Sequence, residues 1–305
     1  MKIDPQMALA VAELEETMRQ APPWHTLDPA ELRRQLDEGL LWPAVYLPQA
    51  QERTIPGPAG PIPIRVFTPD TVRGVFLHFH GGGWVIGSAR MQDEFLWARA
   101  NAAQVALVSV DYRLAPEHPH PAAPDDCEAA ALWLVENAAS DFGSDRIVVG
   151  GESAGAQLAA VTLQRLRDRH GYTGIRGAVL NNGVFDLRHT PSSRLWGDRP
   201  LIINTPTMRW YVDLFTAGQS ADDPDLSPLL GRLHDMPPAI FTVGTLDPLL
   251  DDSLFMAARW QATRSEVELR IFPGACHGFD IIFSTPASQE AAAAVSGFVG
   301  RCLAD

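Results

Sequence analysis

From about residue 73 onward, short strand-like runs, most of them largely apolar, alternate with longer segments in which apolar positions recur every three or four residues. The runs are Gly74-Val-Phe-Leu-His-Phe79, Val105–Val110, Arg146-Ile-Val-Val149, residues 177–181, Ala239–Val243 and Val267–Phe272. The periodic segments are residues 91–103, 122–139, 153–169, 250–264 and 288–303. A strand with one face in water alternates apolar and polar residues, whereas a strand covered on both faces reads as an unbroken apolar run. Strands of that kind alternating with helices predict an α/β fold, with a mostly parallel central sheet and helices on both faces.

Two regions fall outside this rhythm. Residues 5–20 and 28–39 carry helical periodicity, with Asp28-Pro29 as N-cap and first helical residue, and Ala21-Pro-Pro-Trp-His25 breaks the chain between them. Residues 51–68 read as two short strands around Pro56–Pro63, a hairpin at a sheet edge. Residues 186–225 are rich in Pro, Arg and aromatics, among them Trp196, Trp210, Tyr211 and Phe215, and predict an inserted helical lid. The chain is thus expected to divide into an N-terminal helical cap segment, residues 1–45, and an α/β domain, residues 46–305, that carries the lid at about residues 186–225. Lid and N-terminal helices are expected to cover the C-terminal ends of the strands, where open α/β sheets bind ligands. There is no internal repeat or low-complexity segment.

Composition narrows the range of partners. Of 305 residues 46% are hydrophobic and 20% charged, and the formal net charge is −13. An acidic surface repels phosphate backbones and argues against nucleic acid. The apolar stretches are too short to span a bilayer, which takes roughly 18–20 residues. Cys127, Cys276 and Cys302 are odd in number and lack metal-site spacing, so neither a disulfide framework nor a zinc ribbon is expected. The apolar stretch Met7–Ala12 runs straight into Glu13, Glu15 and Glu16, unlike a signal peptide, and a cytoplasmic location is expected.

The chemistry concentrates in a few places. Gly151-Glu-Ser-Ala-Gly155 follows one predicted strand and opens a helix. That junction is what a nucleophile elbow needs: the turn is tight, and small residues must flank the serine. Ser153 is therefore the candidate nucleophile, against the competing reading of a serine that merely caps a helix. His80-Gly-Gly-Gly83 follows the strand ending at Phe79. Glycines let the backbone approach a ligand closely, so the N–H groups of Gly82 and Gly83, with that of Ala154, are the candidate oxyanion donors; a flexible turn is the alternative. Among nine histidines, His277 stands out, in a loop after a late strand. Asp247 follows another strand and lies between Ser153 and His277 in chain order. Asp251 and Asp252 are rivals, but they fall within the next helix. His78 with His80 and His118 with His120 form His-x-His pairs of the kind that can bind zinc, without a third ligand in context; no cofactor or metal is expected. Cys276 adjoins His277 but has no elbow around it. Trp84, Trp210, Tyr211 and Phe215 are candidate walls for a substrate's apolar groups.

Taken together these residues resemble the hormone-sensitive-lipase-like branch of α/β-hydrolases, the bacterial family IV esterases. The matching pieces are His80-Gly-Gly-Gly83 with Trp84, Asp111-Tyr-Arg-Leu-Ala-Pro-Glu-His-Pro119 followed by Pro121-Ala-Ala, Gly151-Glu-Ser-Ala-Gly155, Asp247-Pro-Leu and His277-Gly-Phe279, in the family's order across roughly residues 60–300. The resemblance implies an α/β-hydrolase fold with a helical cap, no cofactor, short- to medium-chain carboxylic esters as substrates, and in many members a homodimer. Two positions depart from the family: Glu152 stands where Asp is usual and Ala156 where a further Gly is common. Glu117 and Asp126 are candidate tethers for the loop near the site. The expected reaction is ester hydrolysis through an acyl-enzyme, its rate rising with pH as His277 loses its proton. Lactone or amide hydrolysis on the same residues, and ligand binding without catalysis, are the competing functions.

Overall fold

The structure, a computed structural model, describes residues 2–39 and 45–304. The chain begins with helices α1 (Pro5–Gln20) and α2 (Pro29–Asp37). The Asp28 side chain accepts from the amides of Ala30 and Glu31, and Pro29 sits where no N–H is needed, so the predicted cap is formed. The end of the proposed cap segment, residues 40–44, lies outside the described residues. Strands β1 (Gln51–Ile55) and β2 (Ile62–Phe67) form the edge hairpin. Then follow β3 (Gly74–Phe79), α3 (Asp93–Ala103), β4 (Val105–Val110), α4 (Ala122–Phe142), β5 (Ile147–Glu152), α5 (Ala154–His170) and β6 (Gly177–Asn181). Residues 186–225 hold α6 (Pro191–Leu195) and α7 (Thr205–Thr216). The chain closes with β7 (Ala239–Leu246), α8 (Leu250–Ala262), β8 (Val267–Cys276), the single turn α9 (Phe279–Ile282) and α10 (Pro286–Cys302).

The eight strands lie in the order β1-β2-β4-β3-β5-β6-β7-β8, parallel except where β2 meets β1 and β4. Every residue of β3, β4, β5 and β6 is buried, which is why their sequences are mainly apolar, interrupted only by His78, Ser109, Glu152 and Asn181. Even so, alternate side chains serve different faces. Phe76, Val148 and Val179 point toward Leu96 and Ala100 of α3 and Val295 and Phe298 of α10. Val75, Leu77, Val149 and Leu180 point toward the face covered by α4, α5 and α8, where Leu134, Leu158 and Trp260 pack. Burying side chains of this size stabilises the fold by ~1.5–3 kcal/mol each, before conformational entropy is counted.

The strands that deliver the site run further than their sequences suggest. β5 continues to Glu152, immediately before Ser153. β7 and β8 extend to Leu246 and Cys276, one residue short of Asp247 and His277, through an irregular register between Gly244 and Leu246. There the backbones approach so closely that a Cβ on Gly244 would fall 2.0 Å from the Ala275 carbonyl oxygen. The N-terminal segment and residues 186–225 touch: His25 Nδ1 is 3.2 Å from Thr207 Oγ1, and Arg199 pairs with Glu15. Among the described residues, no helix is long and apolar enough to cross a membrane.

Candidate active site

Ser153 stands between β5 and α5 with φ 56° and ψ −119°, a conformation that L side chains rarely adopt and that costs on the order of 1 kcal/mol or more. Its surroundings impose that turn. A Cβ on Gly151 would lie 2.2 Å, and one on Gly155 1.9 Å, from the carbonyl oxygen of Phe79 on the neighbouring strand. The two elbow glycines are thus required by close packing, and Ala156, one position further, is accommodated fully buried in the core.

The structure brings the three expected residues into one line. His277 Nε2 is 3.0 Å from Ser153 Oγ, and His277 Nδ1 is 2.9 Å from Asp247 Oδ2. An ionised carboxylate only accepts, so Nδ1 carries the hydrogen and Nε2 is free to accept the serine proton. The other oxygen of Asp247 accepts the amide of Leu249 at 2.8 Å, which fixes the carboxylate plane. The rivals are engaged elsewhere. Asp251 accepts the amide of Ser192. Asp252 takes the amides of Phe185 and Asp186 and the hydroxyl of Thr190, fastening the start of the lid to α8. Burial pushes its carboxyl up to about 7 against those hydrogen bonds. Cys276 is buried, and desolvation pushes its thiol up to about 12, far from a thiolate at neutral pH.

The glycine loop after β3 faces the same point. Gly82 and Gly83 have φ of 118° and 59°. Their amides and that of Ala154 donate to no acceptor among the described residues, and Gly82 and Gly83 line the same cavity as Ser153. The loop is held from outside: the Tyr112 hydroxyl donates to the His80 carbonyl at 2.7 Å, and the Ala115 amide to that of Trp84 at 2.9 Å. Glu117 and Asp126 both bond to other parts of the chain near this loop. Asp126 binds the Arg113 guanidinium and amide. Glu117 pairs with Arg33 of α2, whose guanidinium also reaches the carbonyls of Val85 and Ala115. Arg33 was not legible as part of the site, because its partners lie more than fifty residues away and nothing local marks it.

Neither His-x-His pair forms a shared site. His78 lies between Ser109 and Glu152, His80 stacks on Tyr112, His118 is exposed, and His120 bonds Gln219 and Asp225. Among the described residues, no group of three or more His, Cys, Asp or Glu is placed to hold a metal ion.

Ser153 opens into a cavity of about 510 Å³, within the usual range for small-molecule sites. Of the four aromatic candidates, Trp84 and Tyr211 line it, while Trp210 and Phe215 do not. Phe215 stacks on the outer face of Trp84 with centroids 4.3 Å apart, and Trp84 Nε1 donates to Gln157. The lining includes the buried Ile203, Met208 and Leu249 and the exposed Glu94 and Ser284. Asn182, at the end of β6, also lines the cavity; it is buried and its side-chain amide has no partner among the described residues.

Comparison with known proteins shows the family and the fold. Residues 76–281 match a family described as alpha/beta hydrolase fold. The chain is 36% identical to the carboxylesterase NlhH of Mycobacterium tuberculosis over 278 residues, covering 87% of this chain and 86% of that one. It is 31% identical to an ethyl acetate hydrolase of Pseudomonas putida, over 92% of each. A hyperthermophilic esterase from Pyrobaculum calidifontis superposes over the full length of both chains with a TM-score of 0.90 and 30% identity.

Proposed function

The chain belongs to the α/β-hydrolase fold family, and from that premise we propose that Ser153, His277 and Asp247 hydrolyse short- to medium-chain carboxylic esters through an acyl-enzyme. Its relatives, carboxylesterases and esterases, are consistent with the hormone-sensitive-lipase-like branch. The observation that carries the assignment is the unbroken chain of contacts from Asp247 to His277 to Ser153, at 2.9 and 3.0 Å, ending in a cavity beside three uncommitted amides.

In this reaction His277 Nε2 takes the proton of Ser153 as Oγ attacks the ester carbonyl carbon. The carbonyl oxygen becomes an oxyanion and accepts from Gly82, Gly83 and Ala154; a donor of this kind is typically worth ~3–4 kcal/mol in the transition state. Asp247 holds the imidazole in the productive tautomer and stabilises it while charged. His277 then returns the proton to the departing alcohol. A water molecule, deprotonated by the same nitrogen, attacks the acyl-serine and releases the acid.

The substrate is a small-molecule ester. Trp84 and Tyr211 form apolar walls of the cavity, and we treat residues 1–45 and 186–225 as the cap that encloses it. The three cysteines are unpaired, which supports a cytoplasmic location, and the resemblance to dimeric relatives supports a homodimer; cell fractionation and sedimentation test these two points. The reaction itself is tested on p-nitrophenyl esters from acetate to palmitate, with wild type and Ser153→Ala. Wild type is expected to cleave the short members and the variant to lose several orders of magnitude in kcat. An alanine variant with full activity refutes Ser153 as the nucleophile.

A further inference from the structure

Glu152 immediately precedes the nucleophile, and the steps above give it no role. It is buried, 3% exposed, beside the cavity. Its Oε1 accepts the amide of Gly81 at 3.2 Å, and its Oε2 lies 3.0 Å from His78 Nε2. The far nitrogen of His78 is 2.9 Å from Ser109 Oγ. The carboxylate therefore ties the end of β5 to β3 and, through His78, to β4, three adjacent strands. Burial disfavours its charge, yet His78, the buried Arg99 of α3 and Gln92 together hold it below the usual carboxylate range.

The amide that Glu152 takes is that of the first glycine in the loop. Three consecutive glycines have more backbone freedom than any other tripeptide, and an oxyanion donor works only when it already points at the place where charge develops. Downstream, Gly82 accepts the amides of Val85 and Ile86. Upstream, the Gly81 amide has Glu152 as its hydrogen-bond acceptor.

We infer that Glu152 is a positioning residue for the oxyanion hole: anchored on His78, its carboxylate occupies the Gly81 N–H and so fixes the direction of the Gly82 and Gly83 N–H groups. The inference rests on the reading of those two amides as oxyanion donors. It also gives the glutamate, where relatives usually carry aspartate, a defined role, as a single side chain that reaches both the glycine loop and the histidine on the neighbouring strand.

The test is kinetic, with Glu152→Met as the variant that keeps the volume and removes the acceptor. Active sites are counted with a fluorophosphonate, so that misfolded protein does not enter kcat. Per titrated site, kcat is expected to fall by about 10- to 100-fold, somewhat less than the ~10²–10³ of a deleted donor because the donors remain but drift. KM should stay within about twofold, and affinity for a trifluoromethyl ketone, which mimics the tetrahedral oxyanion, should fall in parallel with kcat. Glu152→Gln, which retains an acceptor oxygen for Gly81, should recover most of the loss. Should Glu152→Met fail to fold, Glu152→Ala repeats the measurement. A variant with a lowered melting temperature but kcat and ketone affinity within about twofold of wild type shows a merely structural residue and overturns the inference. With wild type active and Ser153→Ala silent, that result leaves the esterase reading intact; an inactive wild type overturns both.

Discussion

Asp252 makes the stability of this protein depend on pH in an uncommon direction. The carboxyl is fully buried at the start of α8, and burial raises it from 3.8 to about 7. Most native carboxylates shift the other way. In the unfolded chain Asp252 ionises near pH 4; in the native protein it keeps its proton to about 7, so between those values the folded state binds one proton more. Stability from this group is therefore fully present below about pH 4 and is lost as pH rises through about 7. The window is about three pH units wide, and at ~1.4 kcal/mol per unit the loss is ~4 kcal/mol at most. The neutral form fits the site: its O–H can donate to Thr190 Oγ1, 2.6 Å away, while the other oxygen keeps the amides of Phe185 and Asp186. Asp252→Asn reproduces that pattern with a group that cannot ionise. Urea unfolding of wild type and variant from pH 4.5 to 8 is the assay. The variant should match wild type or fall slightly below it at pH 4.5, and should exceed it by a margin that grows toward ~4 kcal/mol at pH 8. A difference that stays constant across the range would refute the reasoning, because it would mean that the three hydrogen bonds keep Asp252 charged in the folded state throughout.

Two further substitutions test the site directly. Asp247→Asn turns an NH₂ toward His277 Nδ1 and favours the wrong tautomer, so kcat on a p-nitrophenyl ester should fall by ~10³–10⁴ with KM little changed; a loss below about tenfold would show that Asp247 does not orient the base. Gly83→Ala places a Cβ within 2.4 Å of the Tyr211 ring at a φ of 59°. It should lower stability by about 1–3 kcal/mol and kcat by about a hundredfold, read by urea unfolding and by kcat per titrated site.

Much of the fold was legible because burial on both faces leaves a direct imprint on sequence: β3, β4 and β6 are apolar but for His78, Ser109 and Asn181, and their predicted limits hold. The ends of β7 and β8 were not legible. Gly244 and Pro273-Gly274 read as chain breakers, yet the strands stay paired through them, and Gly244 is there because the Ala275 carbonyl leaves no room for a side chain. The aromatic lid was legible as composition but not as geometry. Tyr211 and Phe215 lie one turn apart on the same face of α7, so both turn inward. Tyr211 sits over Gly83, whereas Phe215, one turn on, passes the cavity and lands on the back of Trp84. Trp210, offset by one residue, faces away from the cavity and packs against the neighbouring core. Periodicity fixes the face that a residue occupies; what it meets there depends on where the helix docks.

The same distinction explains the long Tyr-Arg-Leu-Ala-Pro-Glu-His-Pro string, which contributes no reacting group. A loop of three glycines is needed so that amides can approach an oxyanion, and by itself such a loop has no reason to keep its shape. Its order must come from contacts outside it. Tyr112 holds the His80 carbonyl, Ala115 holds that of Trp84, and Arg33, itself fixed by Glu117, holds that of Val85. Phe215 and Gln157 hold the Trp84 ring on its face and its edge. Arg33 belongs to the N-terminal helix α2 and Phe215 to α7, so the packing of these two helices and the shape of the glycine loop depend on the same contacts. It follows that lesions in α2, although they touch no reacting atom, should act on kcat through Val85 and the loop as well as on substrate affinity through the cavity wall. A lid that only covered the cavity would change affinity alone.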